Sequence, residues 1–151
     1  MEQTMSDLAV RKSVVVGRSV EDAFRVFTDG IDGWWPRRTH SVFAERAEKV
    51  VLEGEVGGRF YEVATDDEEA EWGIVTVWEP PHRLAYTWYP GRGPESAQEV
   101  DLRFTPEGSG TRVDLVHTGW EKLGDRAAEQ LASYETGWEY VLGRCYAEAA
   151  S

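Results

Sequence analysis

Residues 45–118 carry the pattern that most restricts the fold, because apolar and polar side chains alternate there along short segments. An alternation of period two is typical of half-buried β-strands. Turn sequences such as Gly57-Gly58 and Pro80-Pro81 separate the segments and leave only a few residues for each connection. Parallel strands need a crossover of about a dozen residues or more, whereas antiparallel strands need only a short turn. The segment therefore predicts five or six antiparallel strands joined as hairpins.

The regions on either side of this segment complete the predicted fold. Residues 10–16 alternate as a further strand, and Ser19 is a preferred N-cap residue before a helical pattern of apolar side chains. Over residues 125–149, apolar residues recur at steps of three and four, which predicts one long amphipathic helix. We therefore predict an α+β fold with a curved antiparallel sheet of six or seven strands wrapped around a long C-terminal helix. One or two short helices are expected after the first strand.

Length and composition limit the domain organisation and the partners. The chain has 151 residues, and we assign a single domain to residues 8–149 and a disordered N-terminus to residues 1–7. Cys145 is the only cysteine, and neither a signal peptide nor a membrane span is recognised, which predicts a cytoplasmic protein without membrane insertion. A net charge of −12 argues against a nucleic-acid partner. No metal-ligand spacing or dinucleotide motif occurs, so no metal and no cofactor are predicted.

The chain is rich in aromatic residues, with seven tryptophans, six tyrosines and five phenylalanines. Such side chains either pack into a core or line a cavity. A long helix across a twisted sheet leaves a space wherever the sheet curves away. The alternation on the last strand places His117 on the inward face, and Phe60 and Trp88 are the inward rings that we expect on their own strands. These rings are therefore expected to converge between helix and sheet.

The order and spacing of several motifs resemble one known superfamily. The motifs are Ser19-Val20-Glu21-Asp22-Ala23-Phe24, Trp34-Trp35, Gly57-Gly58-Arg59-Phe60-Tyr61-Glu62, Trp72-Gly73-Ile74-Val75, Trp78-Glu79-Pro80-Pro81-His82-Arg83-Leu84, Thr111-Arg112-Val113 and Gly137-Trp138. Together they resemble the SRPBCC superfamily of START-like and birch-pollen-allergen-like proteins. Within it, the chain is similar to the branch named after the homologue of the heat-shock-protein-90 ATPase activator. The resemblance extends from about residue 10 to residue 147.

The resemblance implies a helix-grip fold with a deep apolar cavity between the C-terminal helix and the sheet. It implies ligand-binding positions at the helical gate, on the strands, at the cavity rim and on the long helix. These positions are Trp34, Trp35, Phe60, Trp72, Trp88, His117, Trp120, Tyr134 and Trp138. The expected partner is an apolar small molecule, and either a monomer or a homodimer is compatible with the sequence.

Three functions remain open at this stage. The first is the binding of a hydrophobic or aromatic small molecule in the cavity, with an indole N–H, a Tyr hydroxyl or His117 orienting the ligand. The second is a cyclase, dehydratase or hydrolase that uses His117 as acid or base, the only candidate catalytic residue, with Glu62, Tyr61 or Thr76 as a second polar group. The third is a chaperone- or regulator-binding module without a ligand. The sequence favours binding over catalysis.

Two residues of the predicted C-terminal helix are given packing roles. Gly137 lies in the helix interior, where glycine costs about 1 kcal/mol relative to alanine. We expect it to allow close approach of helix and sheet, in preference to making room for a ligand. Cys145 lies on the apolar stripe and is predicted to be an inert core thiol.

Overall fold

The computed structural model describes residues 8–151, so the predicted disorder of residues 1–7 lies outside the described residues. The strands are β1 (Val10–Val16), β2 (Ala47–Leu52), β3 (Arg59–Ala64), β4 (Glu69–Glu79), β5 (Arg83–Trp88), β6 (Gln98–Glu107) and β7 (Gly110–Thr118). The α-helices are α1 (Val20–Phe27), α2 (Ile31–Trp34), α3 (Ala127–Tyr140) and α4 (Ala147–Ala149). None of the helices in these residues has the length and apolar character needed to cross a bilayer.

The seven strands form one antiparallel sheet in the order β1-β7-β6-β5-β4-β3-β2. Strands β2 to β7 follow one another as hairpins, as the short turns predicted. Strand β1 closes the order by pairing with β7, so that Val10 lies opposite His117 and Val16 lies opposite Thr111. The predicted helix-grip α+β fold is confirmed, with seven strands and two short helices after β1.

Helix α1 fills one end of the space inside the sheet. The Ser19 hydroxyl accepts a hydrogen bond from the Asp22 amide at 3.2 Å, as expected of an N-cap residue. The inward side of α1 then buries Phe24 and Phe27, and the Phe24 ring packs edge-on against Phe104 with centroids 5.1 Å apart. The end of the sheet that carries Phe104 is thereby closed by packed rings.

The C-terminal helix differs from the prediction at both ends of α3. A 3₁₀ turn over Trp120–Arg126 precedes it, and a π-helical turn over Val141–Tyr146 links it to α4. A π turn holds about one residue more than an α turn and so shifts the helical phase. Tyr146 is consequently fully buried and donates a hydrogen bond to the Ala23 carbonyl oxygen at 2.7 Å. Cys145 lies half-buried, and its predicted place in the core was wrong for this reason.

Candidate ligand-binding site

A cavity of about 600 Å³ lies between α3 and the sheet, at the end opposite to the packed rings of α1. Its size falls within the range of about 300–1,000 Å³ that is typical of small-molecule sites. The segment between α2 and β2, the loop after β5 and one face of α3 surround it. The lining residues are Trp35, Thr39, His40, Ser41, Val42, Trp72, Trp88, Pro90, Gly91, Gln130, Ser133, Tyr134, Gly137, Trp138 and Val141.

Of the nine residues that the sequence predicted to bind a ligand, five line the cavity and four do not. Those that line the cavity are Trp35, Trp72, Trp88, Tyr134 and Trp138. The remaining four lie behind this wall: Phe60, His117 and Trp120 are fully buried, and Trp34 is half-buried beside Trp35. The strand pattern predicted inward positions for Phe60 and His117 but not their depth below the cavity surface, and Trp34 and Trp120 were implied by the family resemblance.

Trp35 stands at the centre of the aromatic wall. Its ring centroid lies 5.0 Å from that of Trp72, 6.2 Å from that of Trp88 and 6.0 Å from that of Trp138. The pairs are tilted or T-shaped, which are the arrangements that aromatic quadrupoles favour. The rings therefore pack against one another on one side and line the cavity on the other.

The indole N–H groups of this wall are already paired within the protein. Trp35 donates to the His40 carbonyl oxygen at 2.8 Å, and Trp88 donates to the Tyr134 hydroxyl at 2.9 Å. Trp138 donates to Nδ1 of His117 at 2.9 Å. The Tyr134 hydroxyl accepts from Trp88, and burial raises its pKa, so its own hydrogen is retained to donate to a ligand. The hydroxyl, rather than an indole, is the polar group that this wall offers.

Glu62 joins the wall to the segment that covers it. The carboxylate is fully buried and accepts hydrogen bonds from Nε1 of Trp72 at 2.6 Å and from the amides of Val42 and Phe43 at 2.6 and 3.1 Å. Charged acceptors with several N–H donors form strong hydrogen bonds, which offset the cost of burying the charge. Glu62 thus fixes the segment between α2 and β2 over the aromatic wall. Its oxygens are used in these hydrogen bonds and are buried.

The other two polar groups considered from the sequence lie away from the cavity. Thr76 is exposed, and the guanidinium of Arg59 stacks over the Tyr61 ring at 4.1 Å from its centroid. Neither residue is among those that line the cavity. Any chemistry in the cavity would therefore involve other groups.

Polar side chains gather at the mouth of the cavity. His40 is half-buried there, its ring stacks on that of Tyr140 at 5.3 Å, and its Nδ1 lies 2.7 Å from the Thr39 hydroxyl. Burial lowers the pKa of His40, which favours the neutral imidazole. Gln130 and Ser133 face this group from α3. Sequence analysis did not single out His40, because a loop residue shows no periodicity that would place it in a cavity.

His117 is held as a neutral ring behind the cavity wall. Burial, together with the charge of Arg92, lowers its pKa to about 3. Because Nδ1 accepts the Trp138 hydrogen bond, the proton of the neutral ring must sit on Nε2. His117 therefore offers an N–H donor and no free lone pair, an arrangement that suits orientation of an acceptor better than proton abstraction.

Gly137 faces the open space of the cavity. A Cβ atom built on this residue would meet no atom within 4 Å, and the residue lines the cavity wall formed by α3. The expected close approach of helix and sheet at Gly137 was wrong, because no atom of the sheet lies within 4 Å of the added Cβ. A close backbone approach that requires glycine occurs between strands β4 and β5, where a Cβ atom added to Gly73 would collide with the Thr87 carbonyl oxygen at 1.8 Å.

Within residues 8–151, no group of three or more His, Cys, Asp or Glu side chains is arranged to hold a metal ion. The polar groups of the cavity are hydroxyls, an amide and one imidazole.

Comparisons with known proteins place these features in context. A profile of the family described as "Activator of Hsp90 ATPase homolog 1-like protein" matches residues 18–148. The structure of an anthrahydroquino-gamma-pyrone synthase, Txn09, complexed with SUM, is 35% identical and covers 97% of this chain and 99% of that chain, with a TM-score of 0.64. No curated protein matches the chain.

Two further structures share the fold. The Aha1 dimer from Colwellia psychrerythraea is 19% identical, with a TM-score of 0.69, and the match covers 95% of this chain and 96% of that chain. CalU16 from Micromonospora echinospora is 25% identical, with a TM-score of 0.54, and the match covers 89% of this chain and 70% of that chain.

Proposed function

Since this chain belongs to the activator of Hsp90 ATPase homolog 1-like family of the SRPBCC superfamily, we propose that it binds an aromatic small molecule between α3 and the sheet. The observation that carries the proposal is the cavity of about 600 Å³ with tryptophan rings on its wall. Aromatic walls bury large apolar areas of a ligand, and each Å² of apolar surface removed from water contributes about 25 cal/mol. The few polar groups at the mouth would orient the ligand.

The charge of the protein and the polarity of the site narrow the ligand class. A net charge of −12 disfavours anionic ligands. Four lining tryptophans favour flat rings, while the Tyr134 hydroxyl supplies a hydrogen-bond donor within the wall. The relative at 35% identity is an anthrahydroquino-gamma-pyrone synthase. A neutral, oxygenated polycyclic aromatic compound is therefore the ligand class that we propose.

Binding can be tested with danthron, a dihydroxyanthraquinone, by isothermal titration calorimetry and by native mass spectrometry of the protein purified from cells. Ser133 and Ala132 are neighbours on α3, both exposed, and only Ser133 lines the cavity. Ser133→Phe should narrow the mouth and weaken danthron binding about tenfold or more, a loss of about 1.4 kcal/mol. Ala132→Phe should bind like the wild type. Absence of any bound mass and of any danthron binding would refute the proposal.

A second candidate function, ring-forming catalysis on the same ligand class, is supported by the 35% identity to a synthase. His40 is the better acid–base candidate than His117, because His40 lines the cavity, whereas His117 lies behind the wall with its Nδ1 held by the Trp138 indole. If a co-purified ligand is turned over, His40→Gln should lower kcat and change its pH profile while binding is kept. Unchanged turnover in His40→Gln would remove His40 from the mechanism.

A further inference from the structure

Four buried side-chain polar atoms have no hydrogen-bond partner within residues 8–151, and they belong to three residues only. They are the Tyr86 hydroxyl, both amide atoms of Gln98 and Nε2 of His117. All three side chains are fully buried. An unpaired buried polar atom costs about 1–3 kcal/mol, and most such atoms in native proteins are paired. Four of them in one region point to a binding role for the region.

The pairing register places these side chains on one patch of the inner sheet face. Tyr86 on β5 lies opposite Val100 on β6, which in turn lies opposite His117 on β7. Gln98 precedes Val100 by two residues and pairs with Trp88, so it points to the same face. We call Tyr86, Gln98 and His117 the inner patch.

A single layer of rings separates the inner patch from the cavity. Trp88, Tyr134 and Trp138 all line the cavity, and their ring centroids lie 6.4, 5.1 and 6.2 Å from that of His117. Trp88 also packs against Tyr86, with centroids 6.0 Å apart. Two hydrogen bonds hold this layer: Trp88 donates to the Tyr134 hydroxyl, and Trp138 donates to Nδ1 of His117. Movement of one or two of these rings would connect the patch with the cavity.

We infer that the inner patch is a polar subsite that binds the oxygenated edge of an aromatic ligand, a hydroxyaryl ketone or quinone. The inference rests on the proposed function, because the ligand must first enter the cavity. Nε2–H of His117 and the Tyr86 hydroxyl can both donate to a carbonyl oxygen. The Gln98 carbonyl can accept from a neighbouring phenolic hydroxyl, and its NH₂ group can donate. A hydrocarbon or a fatty chain would leave all four atoms unpaired, so this patch selects oxygenated rings.

The pKa shifts of Tyr86 and His117 keep both side chains neutral, as their role as hydrogen-bond donors requires. Burial raises the pKa of Tyr86, so its phenol keeps its proton, and His117 is neutral with its proton on Nε2. The subsite therefore carries no charge of its own, in keeping with a neutral ligand.

Two probes of similar shape test the inference: danthron, which has carbonyl and hydroxyl groups on one edge, and anthracene, which has none. Titration calorimetry compares the wild type with Gln98→Met and Tyr86→Phe, which keep the side-chain volumes and remove polar atoms. Both variants should lose about tenfold in danthron affinity and keep that for anthracene. Thermal stability should stay equal or rise, because no protein partner is lost.

Four outcomes would overturn the inference. Equal danthron affinity in the wild type and both variants would show that the patch does not contact the ligand. A crystal structure of the danthron complex with the ring layer unmoved and water molecules on Gln98 and His117 would assign the patch to buried water only. Wild-type protein that binds neither probe would refute the proposed function together with the subsite. Binding of both probes with no preference for danthron would refute the subsite alone.

Discussion

Replacing Gly137 by alanine separates a cavity role of this glycine from a packing role. The new methyl group would meet no atom within 4 Å, so it would enter the cavity without a clash. Alanine in a helix interior is more favourable than glycine by about 1 kcal/mol. We therefore expect the free energy of unfolding to rise by up to about 1 kcal/mol, which corresponds to about 2–4 °C in Tm for a chain of this size. The affinity for danthron should fall, because the methyl group occupies ligand space.

Gly143 provides a matched control on the same helix. It lies in the π-helical turn, is exposed, and also has no atom within 4 Å of an added Cβ, but it does not line the cavity. Gly143→Ala should leave danthron binding unchanged. Differential scanning calorimetry and titration calorimetry measure both quantities for the two variants. A drop in Tm for Gly137→Ala, or equal danthron affinity in both variants, would contradict the claim that Gly137 faces the ligand space of the cavity.

Two further predictions concern buried groups. Glu62→Gln should lower the free energy of unfolding by about 2 kcal/mol or more, because the amides of Val42 and Phe43 and the Trp72 indole lose a charged acceptor. Urea unfolding measures this loss, with substitution of the exposed Glu79 by Gln as the control. Equal stabilities of the two variants would contradict the prediction. His117 has a folded-state pKa of about 3, below its ordinary value of 6.5. Between these two pH values the unfolded chain binds a proton at His117 that the folded chain does not bind. The stability due to this residue is therefore lost as the pH falls from 6.5 towards 3. The unfolding free energy of the wild type should therefore fall more steeply with acid than that of His117→Gln, by up to about 1.4 kcal/mol per pH unit, and parallel pH profiles would contradict the assignment.

Local sequence signals predicted the parts of the fold that depend on neighbours in the chain. Strand alternation placed His117 inward, Phe60 and Trp88 were expected inward on their own strands, and the structure buries all three. Ser19 was expected to cap a helix and does so. These features follow from strand and helix periods and from capping chemistry, which a few residues determine.

The candidate site depends on contacts between distant residues, and most of its detail was beyond the sequence. The hydrogen bond from Trp138 to His117 and that from Trp72 to Glu62 join different elements, so no local pattern encodes them. Gly137 has open space beside it and lines the cavity, which the apolar stripe of the helix does not reveal. Sequence analysis identified the inward rings, whereas the structure shows which of them meet open space.

The most direct test of the account is a crystal structure of the protein with danthron bound. We predict one danthron molecule between α3 and the sheet, with its rings against Trp35, Trp88 and Trp138 and its oxygenated edge towards Nε2 of His117. An empty cavity, or danthron bound only to the outer face of the sheet beside Arg83 and Asp101, would contradict it.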